Sequence, residues 1–301
     1  MDRLDAMSIL LEAAEAGSLS AAARRLDMPL ATVSRKVSEL EAHLKTRLFT
    51  RSARRLALTD AGRSYVIACK RILEDVDEAE RAASGEYSAP KGDLIITAPI
   101  VFGRLHVLPV ALDFLKAYPE INLRMVQADR VVDLLDDHVD LAVRIGELPD
   151  SSLIAARVGS IRLVVCGSPA YFAKRGAPRS PDELSAHDCV TFDGLTFPDA
   201  WSFRIGKSDA PIAIRSRLVV NTAEAAIDSA IAGVGVTRVL SYQIASAVHA
   251  GALAVVLQEF EPPPWPVSFV HTSQRILPLK LRAFLDFAAP RLKARLSQGA
   301  R

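Results

Sequence analysis

SLSAAARRLDMPLATVSRKVSELEAHLKTRLFTRSARRLALTDAG, residues 18–62, is the most informative stretch of this 301-residue chain. Ser18 precedes apolar residues with the i, i+3, i+4, i+7 spacing of one helical face, which predicts a short helix with a serine N-cap. Pro29 suits the first turn of a second helix, because its missing N–H needs no partner there. An apolar stripe runs along this second helix from Val33 to Leu44. Two short helices joined by a tight turn predict a helix-turn-helix.

The opposite face of the second helix carries small and basic side chains, which suit close approach to a groove of double-stranded DNA. Residues 17–71 hold twelve Lys and Arg against four Asp and Glu, whereas the whole chain has a net charge of only +2. A basic block in a nearly neutral protein is typical of a nucleic-acid module. An ordinary solvated charged surface is the alternative. The candidate DNA-contact residues of the helix pair are Ser18, Ala31, Thr32, Ser34, Arg35, Lys36 and Ser38.

A hairpin is predicted directly after the helix pair. Residues 46–59 have the pattern of two short strands around a basic tip. Arg51, Arg54 and Arg55 belong to this tip and can reach phosphates or a minor groove. The alternative is an exposed hairpin without a DNA contact, which its position beside a helix-turn-helix disfavours.

A long helix is predicted from Asp60 to about Ser84. Apolar and small residues recur there at intervals of four and three, as in the seam of a coiled coil. The predicted seam residues are Tyr65, Cys69, Ile72, Val76 and Ala79. The rest of the surface is heavily charged, which favours pairing with a second copy over the alternative, a helix packed on its own domain.

Composition limits the class of protein. The length exceeds the range of a single hydrophobic core, and 50% hydrophobic with 24% charged residues excludes a disordered chain. The spacing of Cys69, Cys166 and Cys189 fits neither a disulfide framework nor a zinc site, and it suits a reducing cytoplasm. We expect no signal peptide at the first residues and no membrane span in the uncharged run 239–258.

The sequence shows no motif for catalysis or for a bound metal. Residues 232–236 contain Gly-x-Gly, but they follow a predicted helix and lack the third Gly of a dinucleotide fingerprint. The six His residues form no HxxxH or HxH pair, and no GxSxG motif occurs. We therefore expect no enzyme, no metal and no cofactor.

The remaining two thirds of the chain alternate strands and helices. This alternation predicts mainly parallel sheets with helices on both faces, and ligands then bind at the carboxyl ends of strands, beside helix N-termini. The predicted strands are 94–97, 121–126, 141–145, 161–166, 218–220 and 234–236. The predicted helices are 99–115, 131–138, one that begins at 168–169, and 222–232.

Residues 18–62 resemble the winged helix-turn-helix of LysR-type transcriptional regulators. Five motifs match the family's spacing: Ala21-Ala22-Ala23, Val33-Ser34-Arg35, Leu40-Glu41, Leu48-Phe49-x-Arg51 and Leu58-Thr59-x-Ala61-Gly62. One departure is Pro29-Leu30, because many members carry Ser-Gln there and the Gln often reads a base edge. The resemblance implies that the helix 60–84 pairs antiparallel with its twin in a second chain.

The resemblance covers almost the whole chain, since residues 92–301 are similar to the family's effector-binding domain, two α/β lobes akin to periplasmic binding proteins. The matching segments are Gly92-Asp93-Leu94, Tyr118-Pro119, 140–144, 168–171 and Ala232-Gly233-x-Gly235. The implied domains are the winged helix-turn-helix 1–59, the linker helix and hinge 60–91, and the effector-binding domain 92–301. Within the last domain, lobe one is 92–162 plus 267–296, and lobe two is 163–266.

The effector site is expected between the two lobes. The candidate effector-contact residues are Ala98, Pro99, Ile100, Val101, Arg144, Gly146, Phe192, Trp201, Asn221 and Thr222. Arg144 could pair with an anionic ligand, or equally with a neighbouring acidic residue. Asn221 and Thr222 open a helix in a capping-box-like pattern, whose N-terminus could also hold a carboxylate. Phe192 and Trp201 could close the side of lobe two, with core packing as the alternative.

We therefore expect a sequence-specific DNA-binding transcriptional regulator whose activity a small-molecule effector modulates. The expected partners are an interrupted DNA palindrome, the effector, a second copy in a homodimer or a dimer of dimers, and RNA polymerase if the protein is an activator; no membrane partner is expected. A solute-binding receptor without gene regulation is one alternative, but it leaves residues 1–89 without a role. A ligand-independent DNA-binding protein is the other, and the long α/β region disfavours it.

Overall fold

The computed structural model describes residues 2–51, 56–84, 89–129, 134, 138–149, 152–192, 200–272 and 277–298. The chain divides into two compact units between Ala89 and Pro90. Unit 1 comprises α1 (Arg3–Ala16), α2 (Leu19–Arg25), α3 (Leu30–Leu44), β1 (Phe49–Arg51), β2 (Leu56–Leu58) and α4 (Asp60–Ser84). These elements are the helix-turn-helix, the hairpin and the long helix that the sequence predicts.

The helices of unit 1 begin where the sequence places their caps. Ser18 accepts a hydrogen bond from the N–H of Ala21 at 3.0 Å and so caps α2. Pro29 precedes α3 without a side-chain cap. The core of the unit forms where the helices meet, with Leu10, Val33 and Leu40 completely buried.

Gly62 brings α4 against the start of the hairpin. A Cβ at this position would lie 2.0 Å from the carbonyl oxygen of Leu48, so only glycine fits the observed backbone. Thr59 caps the same helix, because its hydroxyl accepts from the N–H of Gly62 at 2.9 Å and donates to the carbonyl of Arg47 at 2.8 Å. The Thr59-x-Ala61-Gly62 motif therefore joins the hairpin to the first turn of α4.

Unit 2 is an α/β assembly of two lobes. It begins with β3 (Gly92–Ala98), α5 (Ile100–Phe102), a π-helical turn (Gly103–Val107), α6 (Leu108–Ala117) and β4 (Ile121–Gln127). It continues with β5 (Leu141–Ile145), β6 (Leu153–Ile161), β7 (Leu163–Gly167), α7 (Pro169–Arg175), a 3-10 helix (Pro181–Ala186) and β8 (Cys189–Phe192). Next come β9 (Ala200–Ile205), β10 (Ser208–Ala213), β11 (Ser216–Val220), α8 (Ala223–Ile231), β12 (Val236–Leu240) and α9 (Ser241–His249). The last elements are β13 (Ala254–Val256), a 3-10 turn (Gln258–Phe260), β14 (Trp265–Thr272) and α10 (Leu279–Gln298).

Each lobe is built on one five-stranded sheet, with the strand order β4-β3-β5-β14-β6 in lobe one and β11-β8-β12-β7-β13 in lobe two. In each sheet four of the five strands run in one direction, as the sequence predicts, and one strand runs the other way. β14 runs antiparallel to both its neighbours in lobe one, and β7 does so in lobe two. The reason is topological: each reversed strand is the first one after the chain crosses from the other lobe, so no crossover helix reorients it.

Some predicted boundaries also shift. The strand predicted at 234–236 is β12, which begins only at Val236. Gly233 turns the chain with φ +78°, and a Cβ at Gly235 would lie 2.1 Å from the carbonyl oxygen of Asp188. The turn therefore needs both glycines before the strand can start. The helix predicted at 131–138 lies outside the described residues, apart from two of its positions.

The described helices include none that is long and apolar enough to cross a membrane.

Candidate nucleic-acid interface and ligand cavity

One face of α3 is exposed and consists of small side chains around a single arginine. The exposed residues of this face are Ala31, Arg35, Ser38 and Ala42, and Thr32 and Ser34 flank it half-buried. The guanidinium of Arg35 donates to the carboxylate of Glu39, one turn later, at 2.8 Å. This ion pair is exposed and therefore weak, so the guanidinium can leave Glu39 and bind another hydrogen-bond acceptor. A helix face with small side chains can enter the major groove of DNA, and Arg35 could there donate two hydrogen bonds to one base.

Lys36 corrects the predicted set of DNA contacts. Its ammonium nitrogen lies 2.6 Å from the carboxylate of Asp5 in α1, and its side chain is mostly buried. Since successive helical residues are about 100° apart, Lys36 points away from the face of Arg35. The ion pair of Lys36 with Asp5 connects α3 to α1. The hydroxyl oxygen of Ser18 accepts from the N–H of Ala21 as the cap of α2 and keeps its own proton to donate, so the DNA contact of Ser18 stays a prediction.

The predicted wing is a two-stranded antiparallel hairpin in which Phe49 faces Leu58 and Arg51 faces Leu56. Its tip lies outside the described residues, as do Arg54, Arg55 and the side chain of Arg51. The phosphate contacts of these three arginines therefore stay predictions.

A buried carboxylate fixes the hairpin to α3. Glu41 is only 9% exposed, and its Oε1 accepts from the N–H of Leu48 at 2.8 Å and of Phe49 at 3.0 Å. These backbone donors stand at the start of the hairpin, where a buried N–H needs a partner. One side chain therefore sets the position of the wing relative to the exposed helix.

The predicted dimer seam of α4 is corrected in its first half. Cys69 is fully buried and Tyr65 half-buried, and both pack into the core of unit 1. Cys69 is unavailable to a partner, because this half of α4 covers the helix-turn-helix. Beyond it, Ile72 is 40% exposed, Val76 is half-buried and Ala79 is exposed. The dimer seam therefore stays a prediction for Ile72, Val76 and Ala79.

A cavity of about 420 Å³ lies between the two lobes of unit 2. Lobe one contributes the π-helical turn, the end of β6 and the end of α10. Lobe two contributes the first turns of α8 and α9. Most of its surface is apolar, from side chains such as Leu105, Ile227 and Leu296. A ligand in this cavity would contact both lobes at once.

His106 gives this cavity an unsatisfied polar atom. Its ring lies 4.8 Å from that of Phe102 and 5.4 Å from that of Tyr242, between centroids. Its buried Nδ1 has no hydrogen-bond partner among the described residues. Burial, together with the nearby Arg295, lowers the pKa of His106 to about 4. The imidazole is therefore neutral at pH 7.

Guanidinium groups border the same cavity. Arg162 pairs with Glu261 at 3.2 Å, and Arg295 of α10 donates to the carbonyl of Leu105 at 3.1 Å. Arg104 also lines the cavity, whereas Glu224 supplies a carboxylate. This arrangement can hold a small, mainly apolar molecule that carries hydrogen-bond acceptors.

Of the ten predicted effector contacts, one lies in the lining of this cavity. Val101 lines it, whereas Ala98 is buried in the sheet and Ile100 is 41% exposed. Asn221 and Thr222 directly precede its lining residues in α8. The cap of α8 is Thr222, which accepts from the N–H of Ala225 at 3.2 Å, and not Asn221 as the sequence pattern predicts.

Phe192 and Trp201 are corrected as ligand contacts. Trp201 is 1% exposed in a core cluster of lobe two, and Phe192 packs against Ala223 and Ala226. Both side chains take inward positions on strands, where burying an aromatic ring is most favourable. Both rings therefore pack in the core of lobe two, which was the alternative to a ligand contact.

Arg144 in β5 and Gly146 directly after it are not lining residues of this cavity. Arg144 stands opposite Ser268 of β14, and burial lowers its pKa. Gly146 has φ +106°, a backbone conformation that favours glycine, and Pro99 makes the turn before α5.

His106, Tyr242 and Arg295 are cavity residues that sequence reasoning missed. Arg295 meets Leu105 across 190 residues, a pairing that no local pattern reveals. The available signal was Phe102 with His106, an aromatic pair at i, i+4 on one helical face.

The three cysteines are buried free thiols, and burial raises the pKa of Cys166 and of Cys189 to about 12. Among the side chains that the structure describes, no three His, Cys, Asp or Glu gather as a metal site would require.

Comparison with known proteins agrees with this architecture. Residues 4–63 match the family model described as "Bacterial regulatory helix-turn-helix protein, lysR family", and residues 88–293 match that of the "LysR substrate binding domain". A helix-turn-helix transcriptional regulator of Xanthomonas campestris is 35% identical over 291 residues, which cover 94% of this chain and 84% of that protein.

Solved structures extend the likeness to the fold. The structure of CrgA, a LysR-type transcriptional regulator from Neisseria meningitidis, is 30% identical with a TM-score of 0.61, over 96% of this chain and 98% of that one. The separate regulatory domain of CrgA is 29% identical with a TM-score of 0.60, over 67% of this chain and all of that domain. With an N-terminal helix-turn-helix and a two-lobed effector-binding domain, the chain belongs to the LysR family of bacterial transcriptional regulators.

Proposed function

We propose that this regulator binds an interrupted palindrome as a homodimer, with one α3 in each half-site, and that a small molecule in the interlobe cavity controls it. The observation that carries the proposal is the exposed face of α3, small side chains around Arg35. A two-fold dimer presents two such faces, which matches the two half-sites of a palindrome. Pairs of dimers and a contact with RNA polymerase extend the same proposal to an activator.

Arg35 is the residue assigned to base reading. Its guanidinium now pairs with Glu39 at 2.8 Å across one helical turn. On a major groove it would exchange this exposed pair for the two acceptors of a guanine, the commonest specific contact of arginine. Leu30, 49% exposed at the start of α3, offers an apolar contact to a thymine methyl group instead of a hydrogen bond.

The interlobe cavity is assigned to the effector. Its volume of about 420 Å³ falls within the usual range for small-molecule sites. Because both lobes line it, a ligand would favour one relative placement of the lobes over others. The three buried free thiols fit a reducing bacterial cytoplasm as the place of action.

Arg35→Ala tests the DNA interface. We expect it to weaken binding to the operator by roughly ten- to a hundredfold, corresponding to ~1–3 kcal/mol for a lost bidentate contact, and to spare random DNA. The measurement is fluorescence anisotropy with DNA that flanks the gene of this protein and with a shuffled duplex. Lys116→Ala is the matched control, since Lys116 is also an exposed helical cation paired with a neighbouring carboxylate.

Equal losses on both duplexes would assign Arg35 to phosphate contact only. A wild-type protein that does not distinguish the two duplexes would contradict the proposal itself and favour a receptor without gene regulation. Specific binding that no small molecule alters would favour the ligand-independent DNA-binding protein.

A further inference from the structure

A nearly buried carboxylate in lobe two is surrounded by three arginines. Asp188, which precedes β8, is only 7% exposed. Its carboxylate oxygens lie 3.4 Å from Arg175 at the end of α7. They lie 3.1 Å from Arg215 and 3.2 Å from Arg217, at the start of β11. All three guanidinium groups are at least half exposed, so this cluster has a buried negative centre and a positive rim.

The charges in this cluster do not balance. One carboxylate offsets one of three guanidinium charges. Within the described part of the chain, no second acidic group forms an ion pair with Arg175, Arg215 or Arg217. Lys174 stands next to Arg175 and adds a further exposed cation. Burial opposes ionisation of Asp188, but Arg217, Arg175 and Arg215 outweigh it and hold the pKa of this carboxyl below its usual range.

The surplus cations border a concave surface. Lys174, Arg175, Arg217 and Asp188 form one side of a pocket of about 440 Å³. The other side is the end of α8 and the turn after it, from Ile231 to Val234. The pocket therefore combines a basic wall with a mainly apolar floor.

The basic wall rests on a fixed support. The N–H of Asp188 donates to the hydroxyl of Tyr171 at 3.1 Å, and its carbonyl accepts from the N–H of Val236 at 2.9 Å. A Cβ at Gly235 would lie 2.1 Å from the same carbonyl, so the backbones are in direct contact there. Arginines held around a fixed carboxylate lose less conformational freedom when they bind an anion.

A purely structural ion network is the competing account. Such a network needs enough arginine to neutralise one buried carboxylate, and one or two would suffice. It leaves the third guanidinium and the ammonium of Lys174 on the pocket wall without a role. A bound anion supplies their counter-charge.

We propose that this pocket of lobe two binds a small dianion, a phosphate or dicarboxylate group, through Lys174, Arg175 and Arg217. The site is separate from the interlobe cavity, yet α8 reaches both, since its first turn lines that cavity and its last residue lines this pocket.

The test is isothermal titration calorimetry of the full chain with inorganic phosphate, with succinate and with chloride at equal ionic strength. We expect saturable binding of at least one dianion and none of chloride. The variant Lys174→Gln/Arg217→Gln should weaken that binding by roughly tenfold or more for each charge-assisted hydrogen bond lost. Both side chains are exposed, so the variant should keep its fold. Tighter binding of phosphate than of succinate indicates a phosphorylated ligand, and tighter binding of succinate indicates a dicarboxylate.

Two controls separate this pocket from general attraction to a basic protein. Lys207→Gln removes an exposed cation elsewhere in lobe two, and Arg35→Ala removes one from the DNA interface. Both should bind the dianion like the wild type. No saturable binding of phosphate or succinate would overturn the proposal, as would binding that Lys174→Gln/Arg217→Gln leaves unchanged.

Asp188→Asn provides an independent reading by thermal unfolding. It removes the central negative charge, so phosphate should raise the melting temperature of this variant more than that of the wild type. A purely structural network predicts a lower melting temperature with no added response to phosphate, and that result would count against the site.

Discussion

His106 has an imidazole that stays neutral at pH values where an exposed histidine would already be protonated. Its pKa of about 4 lies below the ordinary value of 6.5, because burial, aided by Arg295, disfavours the charged form. The unfolded chain takes up this proton near pH 6.5, whereas the folded chain does so only near pH 4. The stabilising effect of a neutral His106 is therefore present above pH 6.5 and is lost as the pH falls towards 4.

His106→Gln should make unit 2 less sensitive to acid. Glutamine does not titrate, so between pH 7 and pH 4.5 its melting temperature should fall less than that of the wild type. Calorimetric scans of the full chain measure this drop at each pH. His249→Gln, at the exposed end of α9, serves as the control and should keep the wild-type slope. An identical slope for His106→Gln would place the acid sensitivity elsewhere.

Single residues show where sequence reasoning succeeds and where it stops. Ser18 was predictable as a cap because capping depends only on neighbours in the chain. Lys36 and Asp5 lie thirty-one positions apart, and nothing local indicates their ion pair. Trp201 fails for a related reason, since its burial follows from partners that only the folded lobe provides.

At the scale of elements, the two halves of α4 differ in what they contact. The first half packs against the helix-turn-helix through Tyr65 and Cys69, and the second half exposes Ile72 and Ala79. A heptad pattern predicts that one stripe is apolar, but it does not tell which partner covers each part. How far the helix-turn-helix core extends along α4 determines which part of the stripe it covers. That extent depends on tertiary packing, which a local sequence pattern does not contain.

In the proposed homodimer, Ile72→Asp should cause dissociation into monomers and abolish operator binding, because a charge would be buried without a partner between the paired helices. Sedimentation velocity measures the oligomeric state, and anisotropy measures DNA binding. Glu80→Lys on the exposed, charged part of the same helix is the control and should leave the assembly intact. A dimer that survives Ile72→Asp would show that α4 is not the seam.

The sheets illustrate the same limit. The alternation of strands and helices predicted α/β sheets, and the family resemblance implied two lobes; both are confirmed. The reversed direction of β7 and β14 was not predicted, because it depends on how the chain crosses between the lobes. The hairpin of β9 and β10 also gave no signal, since its strands alternate weakly and carry Pro211.

At the scale of the molecule, the two units should fold separately. The division between Ala89 and Pro90 leaves both sheets and both cavities in unit 2. The fragment 90–301 should therefore unfold cooperatively at the temperature of the matching transition in the full chain, and it should not bind the operator. Scanning calorimetry and anisotropy test the two statements.

The fragment 120–301 is the control, because it lacks β3, the strand between β4 and β5 in the sheet of lobe one. It should not fold. A fragment 90–301 that unfolds without cooperativity would show that unit 2 depends on unit 1.

α8 is only nine residues long, and its two ends border two different pockets. With the proposed dianion site, this helix would connect two ligand sites. If a dianion at the far end changes the affinity of the interlobe cavity by some factor, the effector must change dianion affinity by the same factor, as thermodynamic reciprocity requires. The regulator would then respond jointly to the effector and to the dianion, and α8 would connect their two sites.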